Sequence, residues 1–244
     1  MHLTTHSLAK RYGDFELSIP DLDIEPGTAL GLVGNNGAGK TTFLRLVLDL
    51  IRADEGEVRL DGDPVADTFD WKTRTGSYLG PSFLIDFLTP DEYWHFVGQT
   101  YEMDEATVDE RLAQFDDFYV DEPIGDTTKY IRDLSTGNKN KAGLVAALLP
   151  NPDLLIFDEP FASLDPRSQI QLKEIIQARR GDTTMLISSH DLGHVTEVSD
   201  RITILEAGQV VRDAPTDPDT LEDLTTYFAK KIRPQEDTPA DAEA

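Results

Sequence analysis

The 244-residue sequence predicts an α/β fold, a mixed sheet with antiparallel strands at its N-terminal side and a helical block inserted into the chain. Three observations predict it. Residues 34–42 read GNNGAGKTT, a phosphate-binding pattern set between a strand-length apolar run, 28–33, and a helix face made by Leu44, Val47, Leu48 and Ile51. Two later apolar runs, LLIF at 154–157 and TMLI at 184–187, each end in polar or acidic residues, as strands buried on both faces of a parallel sheet do. Between them and the loop, residues 81–149 switch to helical periodicity.

Residues 2–33 read as short strands, with turns at 10–14 (KRYGD) and 25–27 (EPG). Tyr12, on the first turn, either stacks on a base held near the phosphate loop or is an ordinary surface aromatic. In the loop itself, Gly34, Gly37 and Gly39 allow backbone angles that a side chain forbids, so successive N–H groups, those of Asn35, Asn36 and Ala38 among them, can turn toward phosphate oxygens. The dipole of the following helix adds to that attraction. Lys40 reaches the β- and γ-phosphates, Thr41 completes a magnesium shell, and Thr42 closes the motif. Asp61-Gly62 then marks a hairpin turn after 57–60.

The helical block opens at Thr89-Pro90-Asp91-Glu92, where an N-cap, a proline at the first helical position and two acids predict a helix running to about Tyr101. Val108, Leu112, Phe115 and Tyr119 make a second apolar face at helical spacing. Phe83, Leu84, Ile85 and Phe87, with Tyr93, Trp94, Phe96 and Val97, are more large apolar groups than so small a block buries. Part of this cluster is therefore expected to line an exposed groove. A third helix follows Leu134-Ser135-Thr136-Gly137-Asn138; its Ser and Gly either cap the helix or face an anion.

Asp158-Glu159 ends the apolar run at 154–157, and each acid costs desolvation there unless it has a partner. In a phosphate site, Asp158 would hold magnesium through water and Glu159 would act as general base on an attacking water. Ser163-Leu164-Asp165-Pro166 turns into a helix carrying Ile170, Ile175 and Ile176. The run at 184–187 ends at Ser188-Ser189-His190, which places an imidazole where it can donate to a γ-phosphate. His190 and His194 are four apart, but the helix should begin after His190, so a zinc reading is rejected. Strands at 202–205 and 210–211, joined by a turn at Ala207-Gly208, close the sheet.

Composition narrows the class. The chain is 39% hydrophobic and holds no cysteine, which excludes disulfides and thiolate metal sites. No run approaches a membrane span, and the N-terminus MHLTTHSLAKRY lacks the apolar stretch of a secretory signal, so a cytoplasmic protein is expected. Of the formal charge of -24, the stretch from Asp213 to Ala244 carries nine acids against three bases, leaving -18 on residues 1–212. So acidic a body argues against nucleic acid and against direct attraction to an anionic membrane. It belongs either to an ordinary acidic protein or to one built for a salty cytoplasm. Residues 234–244 are too polar to pack and are expected to be a disordered acidic tail after a single domain at 1–233.

In order and spacing, these motifs over roughly residues 1–212 resemble the nucleotide-binding subunit of an ABC transporter, of the exporter-like, ABC-2 type group. The resemblance implies a P-loop ATPase core with an inserted helical subdomain at about 81–149. Residues 34–42 would be the Walker A loop, 134–138 the signature, Asp158 and Glu159 the Walker B pair, 163–165 the D-loop and His190 the switch histidine. Tyr12 would stack on adenine. In this family two subunits sandwich two ATP molecules head to tail. Ser135, Gly137 and Asp165 would therefore serve a site shared with a second copy, or with a related subunit in a pseudo-dimer.

The resemblance also implies ATP and Mg²⁺ as ligands and a transmembrane permease on a separate chain. The subunit would be peripheral on the inner face of the membrane. The signature reads LSTGN where the family commonly has LSGGQ, with Ser135 and Gly137 kept. No glutamine stands near Gly80-Pro81-Ser82, where the family usually has one. The leading reading is a transport ATPase. The alternatives are a soluble ABC ATPase, which lacks its expected tandem cassette or coiled-coil insertion here, and a hydrolysis-dead clamp, against which Glu159 and His190 argue.

Overall fold

A computed structural model describes residues 1–120 and 123–217, with Glu222 and Thr226 beyond them. Among the described residues the strands form one mixed sheet. They are β1 (Leu3–Tyr12), β2 (Phe15–Ile19), β3 (Asp23–Ile24), β4 (Ala29–Val33), β5 (Glu55–Leu60), β6 (Asp63–Pro64), β7 (Thr75–Tyr78), β8 (Leu154–Asp158), β9 (Thr184–Ser189), β10 (Arg201–Glu206) and β11 (Gln209–Pro215). The spatial order is β6-β5-β1-β2-β11-β10-β4-β9-β8-β7, with β3 beside β1. Pairing around β1 is antiparallel, whereas β10, β4, β9, β8 and β7 run parallel.

The parallel run places the site. β4, β8 and β9 are apolar along most of their length and buried throughout, because α1 (Lys40–Val47) covers one face and α4 (Thr136–Leu148) and α5 (Pro166–Gln177) cover the other. Their register pairs Val33 with Ser189 and Asp158 with Ser188, so the three strands end level. The residues that follow, Gly34, Glu159 and His190, therefore emerge at one edge, the carboxyl edge where open α/β sheets bind ligands.

α2 (Pro90–Thr100), α3 (Glu105–Leu112) and α4 lie within the inserted stretch. α2 starts where its sequence predicts, with Thr89 and Glu92 forming a reciprocal capping box and Pro90 in the first turn. Trp94 ties α2 to α4: its indole N–H donates to the Ala142 carbonyl at 2.9 Å, and its ring stands edge-on to Tyr119 at 5.0 Å. Val108, Leu112, Phe115 and Tyr119 are all buried, although the regular helix ends at Leu112 and a 3-10 turn carries the last part of the face. α6 (Leu192–Val198) covers β4 and β9.

Three expectations are corrected. The turn at 10–14 shrinks to Gly13-Asp14, because β1 runs on through Tyr12: Lys10 pairs across the hairpin with Leu17 and Arg11 with Glu16. With ten residues β1 is also longer than the short strands expected at 2–33. On α5, whose buried face the sequence left open, Leu172 and Ile176 are inside and Ile170 is 58% exposed, since the packed stripe is set by which side of the helix meets the sheet. β11 continues to Pro215, paired to β10 along its length. The expected tail at 234–244 lies outside the described residues.

Candidate active site

The phosphate loop leads into a helix start unlike the others. Among the described α-helices, α2, α3, α4, α5 and α6 are capped by the side chains of Thr89, Asp104, Ser135, Asp165 and Asp191, whereas α1 begins at Gly39 with no side-chain cap. Its first N–H groups are left to be satisfied by an anion or by water. Gly39 has φ 108°, and a Cβ there would meet Leu17 Cδ1 at 2.7 Å. At Gly34 the loop presses on β10, where a Cβ would lie 2.4 Å from the Leu205 carbonyl oxygen. Lys40 is buried and its Nζ donates to the Gly34 carbonyl at 2.5 Å, so the loop is folded around its own cation.

The two acids at the end of β8 are held differently. Asp158 accepts from Thr41 Oγ1 at 2.6 Å through one oxygen and from Ser188 Oγ at 2.5 Å through the other. This set of hard oxygens, a hydroxyl beside a buried carboxylate, fits magnesium. Glu159 has φ 51°, a conformation sparsely populated by residues with side chains, and its N–H donates to Ser188 Oγ at 3.0 Å. Glu159 Oε2 lies 2.8 Å from His190 Nδ1 and accepts from the His190 backbone N–H at 3.3 Å. Its Oε1 is 3.2 Å from Lys40 Nζ, yet this buried oxygen accepts no hydrogen bond from the described residues.

These groups surround a cleft of about 420 Å³, lined by the loop from Asn35 to Thr42, by Asp158 and Glu159, and by Tyr12 and Phe15 on the β1–β2 hairpin. Tyr12 is exposed there, with Lys10 Nζ 5.6 Å from its ring centroid. The cleft thus combines an aromatic end, an uncapped helix start, a buried lysine and two carboxylates. The family model described as "ABC transporter" matches residues 17–162, more than half of the chain.

The chain belongs to the ABC transporter family. The "ABC transporter ATP-binding protein NatA" of Bacillus subtilis is 30% identical over 223 residues, covering 86% of this chain and 88% of that protein. An uncharacterized ABC transporter ATP-binding protein of Synechocystis is 32% identical over 189 residues, covering 77% of this chain; the chain spans 53% of that longer relative. In fold, the chain resembles a dimeric ATP-binding cassette solved in a post-hydrolysis state with ADP and Pi. That likeness has a TM-score of 0.75 at 21% identity, covering 88% of this chain and 99% of the other.

In this ABC cassette the residues read as the signature stand apart from the cleft. Ser135 Oγ accepts from the Asn138 N–H at 3.2 Å, capping α4, and neither Ser135 nor Gly137 lines the cleft of its own chain. Asp165 caps α5 through the Ser168 N–H at 3.1 Å and lies 3.4 Å from Lys141 Nζ. The hydrogen bonds from Ser168, with a smaller contribution from Lys141, pull the Asp165 carboxyl down to about 2. His194 faces away from His190: it stacks on Phe161 at 4.8 Å, while His190 faces Glu159.

Two residues of the ABC site escape sequence reading. Ser188 bridges Asp158 and the Glu159 backbone, and the one available signal was its position two residues before His190 at the end of an apolar run. Phe15 joins Tyr12 in the cleft, and only the hairpin register brings it there.

Proposed function

We propose that this chain is the ATP-binding and ATP-hydrolysing subunit of an ABC transporter, working as a head-to-tail pair on a separate transmembrane permease at the inner face of the membrane. One observation carries the hydrolytic part. Glu159 Oε1 is a buried carboxylate oxygen lining the cleft, 3.2 Å from Lys40 Nζ and accepting no hydrogen bond from the described residues. A buried acceptor with no hydrogen bond is rare, and here it is where a water's proton would go.

In this reading adenine stacks on Tyr12, and the phosphates lie along residues 34–42. The α1 N–H groups and Lys40 meet the oxygens of the transferring phosphoryl group. Glu159 takes a proton from water as its oxygen attacks the γ-phosphorus, and the bond to the bridging oxygen of ADP breaks. ADP and inorganic phosphate are the products. His190, hydrogen-bonded to Oε2, orients the carboxylate so that Oε1 stays aimed at the water. Thr41 and Asp158 would hold Mg²⁺, which when bound supplies charge neutralisation across the β- and γ-phosphates.

The remaining contacts need a second polypeptide. Ser135 and Gly137 lie outside their own cleft, which supports the reading in which they close the cleft of a second copy or a related subunit. The cassette of the same fold solved as a dimer with ADP and Pi is in keeping with pairing of two copies. Among the described residues no helix is long and apolar enough to cross a membrane. Phe83, Phe87 and Phe96 are exposed, Phe87 by 62%, which supports the reading that they line an apolar groove for a permease helix.

That groove is tied to the signature. The Ile131 N–H donates to the Leu88 carbonyl at 2.8 Å and the Arg132 N–H to the Asp86 carbonyl at 2.9 Å, so the Phe87 segment forms a two-rung ladder with the chain entering Ser135. We read residues 1–233 as one domain, with 81–149 as its helical subdomain. The decisive experiment is Glu159→Gln: ATP binding is kept, turnover falls by about 10²–10⁴-fold, and the variant accumulates as an ATP-bound dimer in light scattering. Near-normal turnover in that variant removes Glu159 as the base.

A further inference from the structure

The family's glutamine is missing near Gly80, and the structure shows what stands in the neighbourhood. Gly80 itself carries no side chain, and a Cβ there would meet nothing within 4 Å. Two residues earlier, at the end of β7, Tyr78 reaches the helical subdomain. Its hydroxyl donates to Asn140 Oδ1 on α4 at 2.6 Å, and the Asn140 amide nitrogen donates to the Ala162 carbonyl at 2.7 Å. Tyr78 and Asn140 are 3% and 4% exposed. α4 has room for the phenol ring only because residue 143 is glycine, where a Cβ would come within 2.6 Å of two ring carbons.

This chain of bonds joins three pieces of the site. β7 is paired to β8 with Tyr78 opposite Phe157, the residue before Asp158. α4 begins at the signature, and Ala162 stands just before the turn at Ser163 and Asp165. The same junction is closed at two more points. Lys141 Nζ meets Asp165 at 3.4 Å, and Gly137 lies so near Ser163 that a Cβ would be 2.8 Å from its carbonyl oxygen. Burial, with smaller contributions from the Asp158 and Tyr93 charges, raises the Tyr78 pKa, so the phenol remains a donor. Asn140 thereby presents its oxygen to Tyr78 and its nitrogen to Ala162 at once.

We propose that Tyr78 is a positioning residue: through Asn140 it locks the signature helix to the D-loop and the Walker B strand of its own chain. The Ser135 and Gly137 offered to the second subunit are thereby held in register with Asp158 and Glu159. It supplies the mechanical link between subdomain and core without touching nucleotide, since it does not line the cleft. This inference rests on the head-to-tail reading above.

The test uses Tyr78→Phe, the double variant Tyr78→Phe/Asn140→Leu, and Tyr101→Phe as a control. Tyr101 also sends its hydroxyl to β7, donating to the Thr75 carbonyl at 2.6 Å, but without a link to α4. The double variant leaves no unpaired Asn140 oxygen and frees only the carbonyl of the exposed Ala162, which water can reach, so it should melt near the wild type. A misplaced signature costs roughly 10–10²-fold in turnover at unchanged KM for both Tyr78 variants. Placed in the Glu159→Gln background, both should bind ATP and fail to dimerise, while Tyr101→Phe behaves as wild type.

If Glu159→Gln alone stays monomeric with ATP, the head-to-tail reading falls and takes this inference with it. If Glu159→Gln dimerises with and without Tyr78→Phe, only the inference falls. A well-folded double variant with wild-type turnover would likewise overturn it.

Discussion

Glu159 Oε1 sits 3.2 Å from Lys40 Nζ, although the two residues come from the end of β8 and the start of α1. The proposed base and the proposed phosphate-binding lysine are thus ion-paired within one cleft. Each proposed site needs this pair from one chain and Ser135 from another.

The first prediction follows from that division. Lys40→Ala and Ser135→Arg should each abolish turnover as pure proteins. Mixed together, they form some pairs in which one site carries both defects and the other carries none. ATPase activity should return on mixing, to about half the wild-type activity per mixed pair if the sites act independently. Activity that stays absent across all mixing ratios would rule out complementing half-sites.

Phe87 and Phe83 should matter to the permease and not to the fold. Both are exposed, so Phe87→Asp and Phe83→Asp are expected to change stability by no more than about 0.5 kcal/mol. ATPase activity of the isolated subunit should persist while co-purification with the permease is lost. Transport that survives both changes would contradict the groove.

Asp165 gives a pH signature. Its carboxyl, held at about 2 by the Ser168 hydrogen bonds, lies below the ordinary aspartate value of 3.8, so its stabilising contribution is present above pH 3.8 and is lost as pH falls toward 2. A carbon-13 NMR titration should place the carboxyl midpoint near 2, and Ser168→Ala, which removes the hydroxyl donor, should move it upward. A midpoint unaffected by that change would show that Ser168 is not the cause.

The acidic body predicts a salt response. Repulsion among the 18 excess acids of residues 1–212 is screened as ionic strength rises, so the melting temperature should climb from dilute buffer to molar KCl. A flat curve would leave the charge as ordinary acidity rather than an adaptation to high salt.

Much of the site was legible before any coordinates. The GNNGAGKTT loop, the Asp158-Glu159 pair at the end of an apolar run and the Thr89 capping box are patterns within a few residues, and the backbone physics that demands them acts over the same distance. Exposure of Phe83 and Phe87 also followed from simple crowding of apolar groups. Which of its apolar residues α5 buries was not legible, because helical spacing alone leaves the rotation of α5 against the sheet open, and packing put Leu172 and Ile176 inside.

By itself, then, the sequence determined the parallel core, the phosphate loop, the paired acids and the helix starts. The tertiary structure alone decided that Ser188 bridges the two acids, that Phe15 enters the cleft and that Tyr78 reaches Asn140. Those contacts span separations of 30 residues between Ser188 and Asp158 and 62 between Tyr78 and Asn140. They depend on strand register and on how a helix seats against the sheet, which are set by the packing of the whole core and leave no mark in any short stretch of chain.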